Sequence, residues 1–345
     1  MSQRPASYPE LGPDWLLAGF DAAAGRFQFA RVSRQTYHES VFLDHRIQPR
    51  PAETMSLSVG EVDEVLRNSQ VKQSAWIFHT GFCGSTLLAT CLDHPGHTLV
   101  LREPLVLSRL AHELRVNPAQ DAIGTQALAD RVIGLCERSY AGEVLLAKPS
   151  NSASSLLGLV KAHDSATVRR KAVLLSCGLE SLLVSILKKR EEAEALLPGF
   201  VNALLQDSDY LVQSGLQGMG KLDLLQLAVV FWHCQRYFLQ QHLVTAGRDA
   251  FLTLSMERFL AEPLSVLTEV SGFLRLGLPA ETLQETVEYG AFRRHSKQAL
   301  TDYSPGEYHR EQQVIRERYA AELEVALDWA APLLARLPVE PFRPA

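Results

Sequence analysis

Residues 75–104 read AWIFHTGFCGSTLLATCLDHPGHTLVLREP, and no other stretch restricts the fold of this chain as much. Ala75 to Phe78 is an apolar run with the character of a buried strand. It enters a short loop carrying Gly81 and Gly84. Ser85 and Thr86 then open a segment, Leu87 to Leu92, with helical character. Strand, glycine loop and helix N-terminus in this order make an anion site. The glycines let successive N–H groups turn inward, and the helix adds unpaired N–H groups and the positive end of its dipole. The chemistry favours a phosphate or a sulfate ester on Gly81, Phe82, Cys83, Gly84, Ser85 and Thr86. A plain glycine turn between a core strand and a core helix carries the same local pattern.

A nucleoside-triphosphate loop reads G-x-x-x-x-G-K-[ST]. In that register His79 stands for the first glycine and Ser85 for the lysine, so only Gly84 and Thr86 match. Without the lysine, ordinary ATP or GTP hydrolysis loses its main γ-phosphate contact.

The 345 residues are 46% hydrophobic and 21% charged, the balance of a globular protein with a large core. A net charge of −5 argues against a broad nucleic-acid footprint. Cys83, Cys91, Cys136, Cys177 and Cys234 are odd in number with no C-x-x-C, which suits free thiols in a reducing cytosol. The N-terminal MSQRPASYPELGPDW has no apolar signal core. The most apolar helix candidate, Leu222 to Leu239, is interrupted by Asp223, Gln226, His233, Gln235 and Arg236, too polar to span a bilayer. The expectation is a cytoplasmic protein with neither a membrane nor a nucleic-acid partner.

Residues 1–70 form a distinct N-terminal accessory region, a cap over the site or a subdomain, ahead of a main domain at 71–345. Met1 to Pro13 is Pro-rich and reads as loose. Arg26 to Ser33 alternates as a strand should, and Pro49 to Thr54 resembles a linker. Ser58 and Glu61 offer a capping box for a helix over Val62 to Arg67. Beyond it, Ala75–Phe78, Thr98–Leu101, Val144–Ala147, Ala172–Leu175 and Phe251–Leu254 are short strands apolar on both faces. Helical stretches lie between them, including Thr125–Tyr140 and Leu222–His242. This alternation predicts a three-layer α/β domain on a parallel sheet. A last helix over Tyr308 to Leu337 is expected, with Ile315, Tyr319, Leu323, Ala326, Ala330 and Leu334 on one face.

Ligands of open α/β sheets bind beyond the carboxyl ends of the strands. The polar residues directly after each apolar run are therefore the candidates: His79 and Thr80; Arg102 and Glu103; Lys148 to Asn151; Ser176 and Cys177; Ser255 and Glu257. Glu103 is placed to act as a general base, to pair with Arg102 or Lys148, or to cap a helix. Lys148 is placed to neutralise developing charge, or to form an internal salt bridge. His79 is a proton shuttle or a hydrogen-bonded core histidine. His94 and His97 flank a Pro-Gly turn with no third ligand nearby, so no metal is expected.

GFCGSTLLATCLDHPG resembles the 5′-phosphosulfate loop of sulfotransferases. Bacterial and tyrosyl-protein members of that family carry P-[RK]-S-G-[ST]-T-L-L followed by L-D-x-H-P. Gly84 to Leu88 match, and Leu92 to Pro95 match with one spacer residue fewer. Ala172 to Lys189 sits where the family has its 3′-phosphate strand, loop and helix, and Phe251 to Pro279 is similar to its R-Y-E-D-L-x-x-D-P…FLGLP segment. His295 to Ser304 resembles its late basic loop. The resemblance covers residues 70 to 340 and implies a P-loop sulfotransferase-like fold. It further implies 3′-phosphoadenosine 5′-phosphosulfate as co-substrate, no metal, and Glu103 at the place of a catalytic glutamate. By the same resemblance Ser185 would contact the 3′-phosphate.

Two positions depart from the family pattern. Phe82 replaces the basic residue of the first loop, and Cys177 replaces the 3′-phosphate arginine. Lys148 is placed to stand in for the first cation. Arg293, Arg294 and Lys297, in AFRRHSK, are placed to supply the second, or form a solvated loop. The expected activity is sulfuryl transfer to a hydroxyl or amine of a small molecule, peptide or glycan. The alternatives are a kinase-like protein with another phosphorylated donor, or a non-catalytic binding protein with a relic loop.

Overall fold

The computed structural model of the chain describes residues 11–69, 73–117, 122–162, 169–217, 220–246, 251–290, 292, 294–295, 298–302 and 305–342. Near the N-terminus, β1 (Trp15–Asp21), β2 (Arg26–Arg31) and β3 (Thr54–Ser58) form a small antiparallel sheet in that order. Helix α1 (Arg34–Glu39) follows β2, and α2 (Val59–Arg67) follows β3. The α2 start is the capping box read from the sequence. The Ser58 hydroxyl accepts from Glu61 N–H, and the Glu61 carboxylate accepts from Ser58 N–H at 2.7 Å. This satisfies two groups that a bare helix end leaves unpaired.

Five parallel strands make the main sheet: β4 (Gln73–His79), β5 (Thr98–Arg102), β6 (Val144–Lys148), β7 (Arg169–Ser176) and β8 (Phe251–Ser255), ordered β5-β6-β4-β7-β8. Each contains one of the five apolar runs. The helices that follow are α3 (Ser85–Cys91), α4 (Leu105–Val116), α5 (Ala122–Cys136), α6 (Leu156–Ala162), α7 (Leu179–Lys188), α8 (Arg190–Gln206), α9 (Tyr210–Ser214), α10 (Leu224–Ala246), α11 (Met256–Ala261), α12 (Pro263–Leu274) and α13 (Ala280–Glu288). The ribbon β9 (Arg294–His295) and β10 (Gln298–Asp302) precedes α14 (Pro305–Arg318) and α15 (Ala320–Arg336).

The two-residue strand period divides the core into two faces. Ala75, Ile77, Val100, Leu146 and Val173 pack against α3, α7, α8, α10, α12 and α15. Trp76, Phe78, Leu99, Leu101 and Leu145 pack against α4, α5 and α6, and against Leu16, Phe27, Phe29, Leu57 and Val62 of the N-terminal region. That region thus shares a core with one face of the main sheet. Trp76 is fully buried and stacks on Phe78 with ring centroids 6.0 Å apart, while its indole N–H donates to Ser74 Oγ at 3.1 Å. Truncating such a side chain to alanine costs about 3–5 kcal/mol.

The helix expected over Tyr308 to Leu337 is two helices, α14 and α15, parted at Tyr319, where φ is −117° and ψ is 27°. The guanidinium groups of Arg190 and Arg318 lie 5.5 and 5.4 Å from the Tyr319 ring centroid. The apolar period runs through the break, so sequence pattern alone does not reveal it.

Candidate active site

The loop after β4 is set by backbone demands. Gly84 has φ +74°, a left-handed conformation that L side chains rarely adopt, and it starts α3. Gly81 is a matter of space, because a Cβ there would lie 2.5 Å from the Phe231 ring. Phe82 holds φ +57° despite its side chain. Such strain of about 1–3 kcal/mol persists where surrounding structure fixes the loop. Three contacts do so. Thr80 N–H donates to Leu175 O at 3.0 Å, Gly81 N–H to Gln235 Oε1 at 2.9 Å, and the Cys83 thiol to Thr80 O at 3.0 Å. Burial pushes the Cys83 thiol up to about 12, so it is a packing and hydrogen-bonding group in its neutral form. The Leu88 N–H bonds Gly84 O at 3.1 Å as the first regular helical contact, and the earlier N–H groups of the turn lie ahead of it.

Beside the loop stand the ends of β5 and β6. Lys148, the last residue of β6, is fully buried, and its Nζ lies 2.5 Å from Glu103 Oε1. The Glu103 side chain is 22% exposed. Arg102 is in register with Lys148 across the two strands, and Glu103 N–H donates to Lys148 O at 2.7 Å. A regular strand would turn Glu103 to the opposite face from Lys148. Glu103 instead takes φ +50°, which breaks the alternation and brings its carboxylate to the ammonium. The pairing of Glu103 with Lys148 is one of the arrangements left open for each residue from sequence.

His79 also touches Lys148, with Nε2 3.4 Å from Nζ. Its Nδ1 is 2.8 Å from Thr80 O and its Nε2 is 3.1 Å from Pro149 O. Burial, reinforced by the Lys148 cation, lowers its pKa to about 4. The ring is therefore neutral near pH 7 and carries one N–H. That single N–H serves one of the two carbonyls, and the tautomer decides which. At 6% exposure the ring fits the hydrogen-bonded core histidine better than a shuttle open to solvent.

The N-terminal region reaches this place. Leu43 N–H donates to Arg102 O at 2.7 Å and Leu105 N–H to Leu43 O at 3.1 Å. Phe42 is thereby held with its ring 5.9 Å from Lys148 Nζ and 4.0 Å from the Arg46 guanidinium. Asp93, from the LDHP segment, anchors the same contact. It pairs with Arg34 at 2.8 Å, with His38 at 3.1 Å, and with buried Arg102. Burial pushes its carboxyl up, but the His38 hydrogen bond and the Arg102 and Arg34 cations outweigh it and hold the group low.

On the other side of the loop, β7 ends at Ser176, whose hydroxyl accepts from Thr80 Oγ1 at 3.3 Å. Cys177 is buried, its thiol pushed well up by burial, with Sγ 3.9 Å from Gly81 O and its carbonyl accepting from Trp232 Nε1 at 2.8 Å. It borders the loop without a charge. The Ser185 hydroxyl donates back to Ser181 O at 2.9 Å inside α7. Arg293 and Lys297 lie outside the described residues; Arg294 is in β9, and its side chain lies outside them too.

Two groups at the site were read from sequence only as polar residues. Gln235, noted there for interrupting an apolar helix, fixes the Gly81 N–H. Glu257, noted as a polar residue after the fifth strand, caps α7: its Oε1 accepts from Gly178 N–H at 2.8 Å and from Ser181 Oγ at 2.9 Å. Long-range placement decides both contacts.

A cavity of about 410 Å³ opens elsewhere, between the first turn of α10 and α15, lined by Leu224, Leu225, Val325 and Trp329 with Arg190 and Glu322. Among the described residues there is no cluster of three or more His, Cys, Asp or Glu able to hold a metal ion. Among them, too, no helix is long and apolar enough to cross a membrane.

No protein-family model matches the chain, and no curated protein matches it. Matches to solved structures of sulfotransferases cover most of the chain at low identity. The sulfotransferase domain from the curacin biosynthetic pathway is 14% identical, with 73% of this chain and 99% of that one covered and a TM-score of 0.40. The sulfotransferase domain from the Synechococcus PCC 7002 olefin synthase is 15% identical, with 73% and 96% covered and a TM-score of 0.40. Retinol dehydratase in a complex with retinol and PAP is 11% identical, with 85% and 91% covered and a TM-score of 0.38.

Proposed function

We propose that the chain is a transferase that moves a sulfuryl group from a nucleotide phosphosulfate to a hydroxyl or amine of a small molecule, peptide or glycan. The observation that carries this reading is the Glu103–Lys148 pair, 2.5 Å apart at the same sheet edge as the glycine loop. The loop and the first turn of α3 hold the phosphosulfate. The acceptor oxygen attacks sulfur, the bond from sulfur to the bridging phosphate oxygen breaks, and the acceptor proton passes to the Glu103 carboxylate. Lys148, buried behind Glu103, supplies through space a positive charge that offsets the charge developing on the bridging oxygen, in place of a loop cation. His79 does not meet substrate in this reading; it positions Lys148 through Nε2.

The sequence resemblance implies 3′-phosphoadenosine 5′-phosphosulfate as the donor. The uncharged Cys177 favours a second reading, in which the same loop takes another phosphorylated donor, as a kinase-like phosphotransferase would. Transfer of labelled sulfate from a phosphosulfate nucleotide, compared with transfer of labelled γ-phosphate from ATP, separates the two. Sulfuryl transfer lost in Glu103→Gln supports the first reading. Phosphoryl transfer alone overturns it.

A further inference from the structure

The loops after β4 and β7 lie side by side. Their strands are neighbours in parallel register, with His79 opposite Leu175, and the loops touch through Thr80 Oγ1 to Ser176 Oγ at 3.3 Å and Cys177 Sγ to Gly81 O at 3.9 Å. A ligand with its anionic end on residues 81–86 therefore extends toward Gly178 and the first turn of α7. The end of β8 fixes what it meets there. Ser176 and Ser255 are in register, so Gly178 and Glu257, each two residues further on, come together. Met256 packs on the first loop, its Cγ 3.5 Å from where a Gly84 Cβ would be, while its neighbour Glu257 sits on the second.

Glu257 Oε1 takes both the Gly178 N–H, at 2.8 Å, and the Ser181 hydroxyl, at 2.9 Å. A carboxylate thus occupies the donors that an anionic ligand group would need. Glu180 adds a second acid in the first turn of α7 and is paired with Arg316. Among the described residues Glu257 has no salt-bridge partner, and its Oε2 accepts no hydrogen bond. The buried Arg236 is near enough for its charge to act on Glu257 and Cys177, but it makes no ion pair with Glu257: it is turned to the Glu340 carbonyl and stacks 3.6 Å from the Phe342 ring centroid. Like charges this close oppose one another, whereas a carboxylate accepts readily from a ribose diol.

Resting on the reading of the loop as the seat of a nucleotide 5′-phosphate or phosphosulfate, we infer that Glu257 is a specificity-determining residue that selects a donor with free ribose hydroxyls and rejects one with a phosphate there. The donor class is then a nucleoside 5′-phosphosulfate without the second phosphate.

Calorimetry with the full chain tests this, using adenosine 5′-monophosphate, adenosine 3′,5′-bisphosphate and 3′-deoxyadenosine 5′-monophosphate. Wild type should bind the monophosphate at least as tightly as the bisphosphate, and the 3′-deoxy compound more weakly. Glu257→Gln keeps a hydrogen-bond acceptor for Gly178 and Ser181 but removes the charge. It should shift the preference toward the bisphosphate by about tenfold or more, which simple loss of a helix cap would not do. A wild-type preference for the bisphosphate, or a preference unchanged in Glu257→Gln, overturns the inference and leaves the loop assignment intact. Failure of all three nucleotides to bind either protein overturns the loop assignment, and the inference with it.

Discussion

Lys148 and Glu103 meet across neighbouring parallel strands because one residue leaves the strand conformation: Glu103 adopts φ +50° and its Oε1 comes to 2.5 Å from Lys148 Nζ. The ammonium is fully buried in contact with Glu103 and His79, while the carboxylate is partly open to solvent. One partner thus holds the other in place, and under the proposed function the exposed partner is the one that meets the acceptor.

Glu103→Gln keeps the shape and removes the base of the proposed mechanism. Turnover should fall by a factor on the order of 10²–10⁴ with donor affinity within a few-fold of wild type. Single-turnover rates and calorimetry on the same preparation check both halves. Near-normal turnover removes Glu103 from the mechanism.

Replacing Glu103 by Leu should affect stability more than replacing it by Gln. Gln still offers Lys148 a carbonyl oxygen, whereas Leu leaves a buried ammonium with His79 at 3.4 Å and the Phe42 ring at 5.9 Å but no carboxylate or amide oxygen in place of Glu103. The difference between the two variants should be about 1–3 kcal/mol in urea unfolding.

His79 gives the protein an acid-side weakness. Its folded pKa of about 4 lies below the ordinary 6.5, so the unfolded chain binds the extra proton first as pH falls. The contribution is complete above about pH 6.5 and is lost progressively down to about pH 4, for a total of about 3 kcal/mol. His79→Gln should flatten this part of the stability curve. Unfolding midpoints measured between these limits in both proteins decide it.

Gly81→Ala should destabilise the loop more than Gly84→Ala. At Gly84 the added methyl meets only Met256 at 3.5 Å, and the cost is the left-handed backbone, about 1–2 kcal/mol. At Gly81 it meets the Phe231 ring at 2.5 Å. Phe231→Leu in the same chain should recover part of that loss, which a thermal melt of the double variant would show.

The parts of this arrangement legible in the sequence are those that depend on local pattern. Apolar runs such as Ala75–Phe78 and Val144–Ala147 mark strands buried on both faces, and the polar residue after each run marks the sheet edge where Glu103 and Lys148 meet. The capping box at Ser58 was equally local. Strand β3 was not legible, since TMSLS carries little apolar signal and follows a Pro-rich stretch; it forms because it pairs with β2. Glu257 on Gly178, and Gln235 on Gly81, depend on strand order and on where α10 docks, which no local spacing encodes. Chain pattern likewise does not reveal that Phe42, well before the main sheet, comes to within 5.9 Å of Lys148.

A crystal structure with adenosine 5′-monophosphate bound tests the central claim most directly. The account requires the 5′-phosphate against the N–H groups of residues 83–86 and the ribose hydroxyls toward Glu257. A nucleotide bound elsewhere, with the glycine loop empty or folded shut, would contradict it.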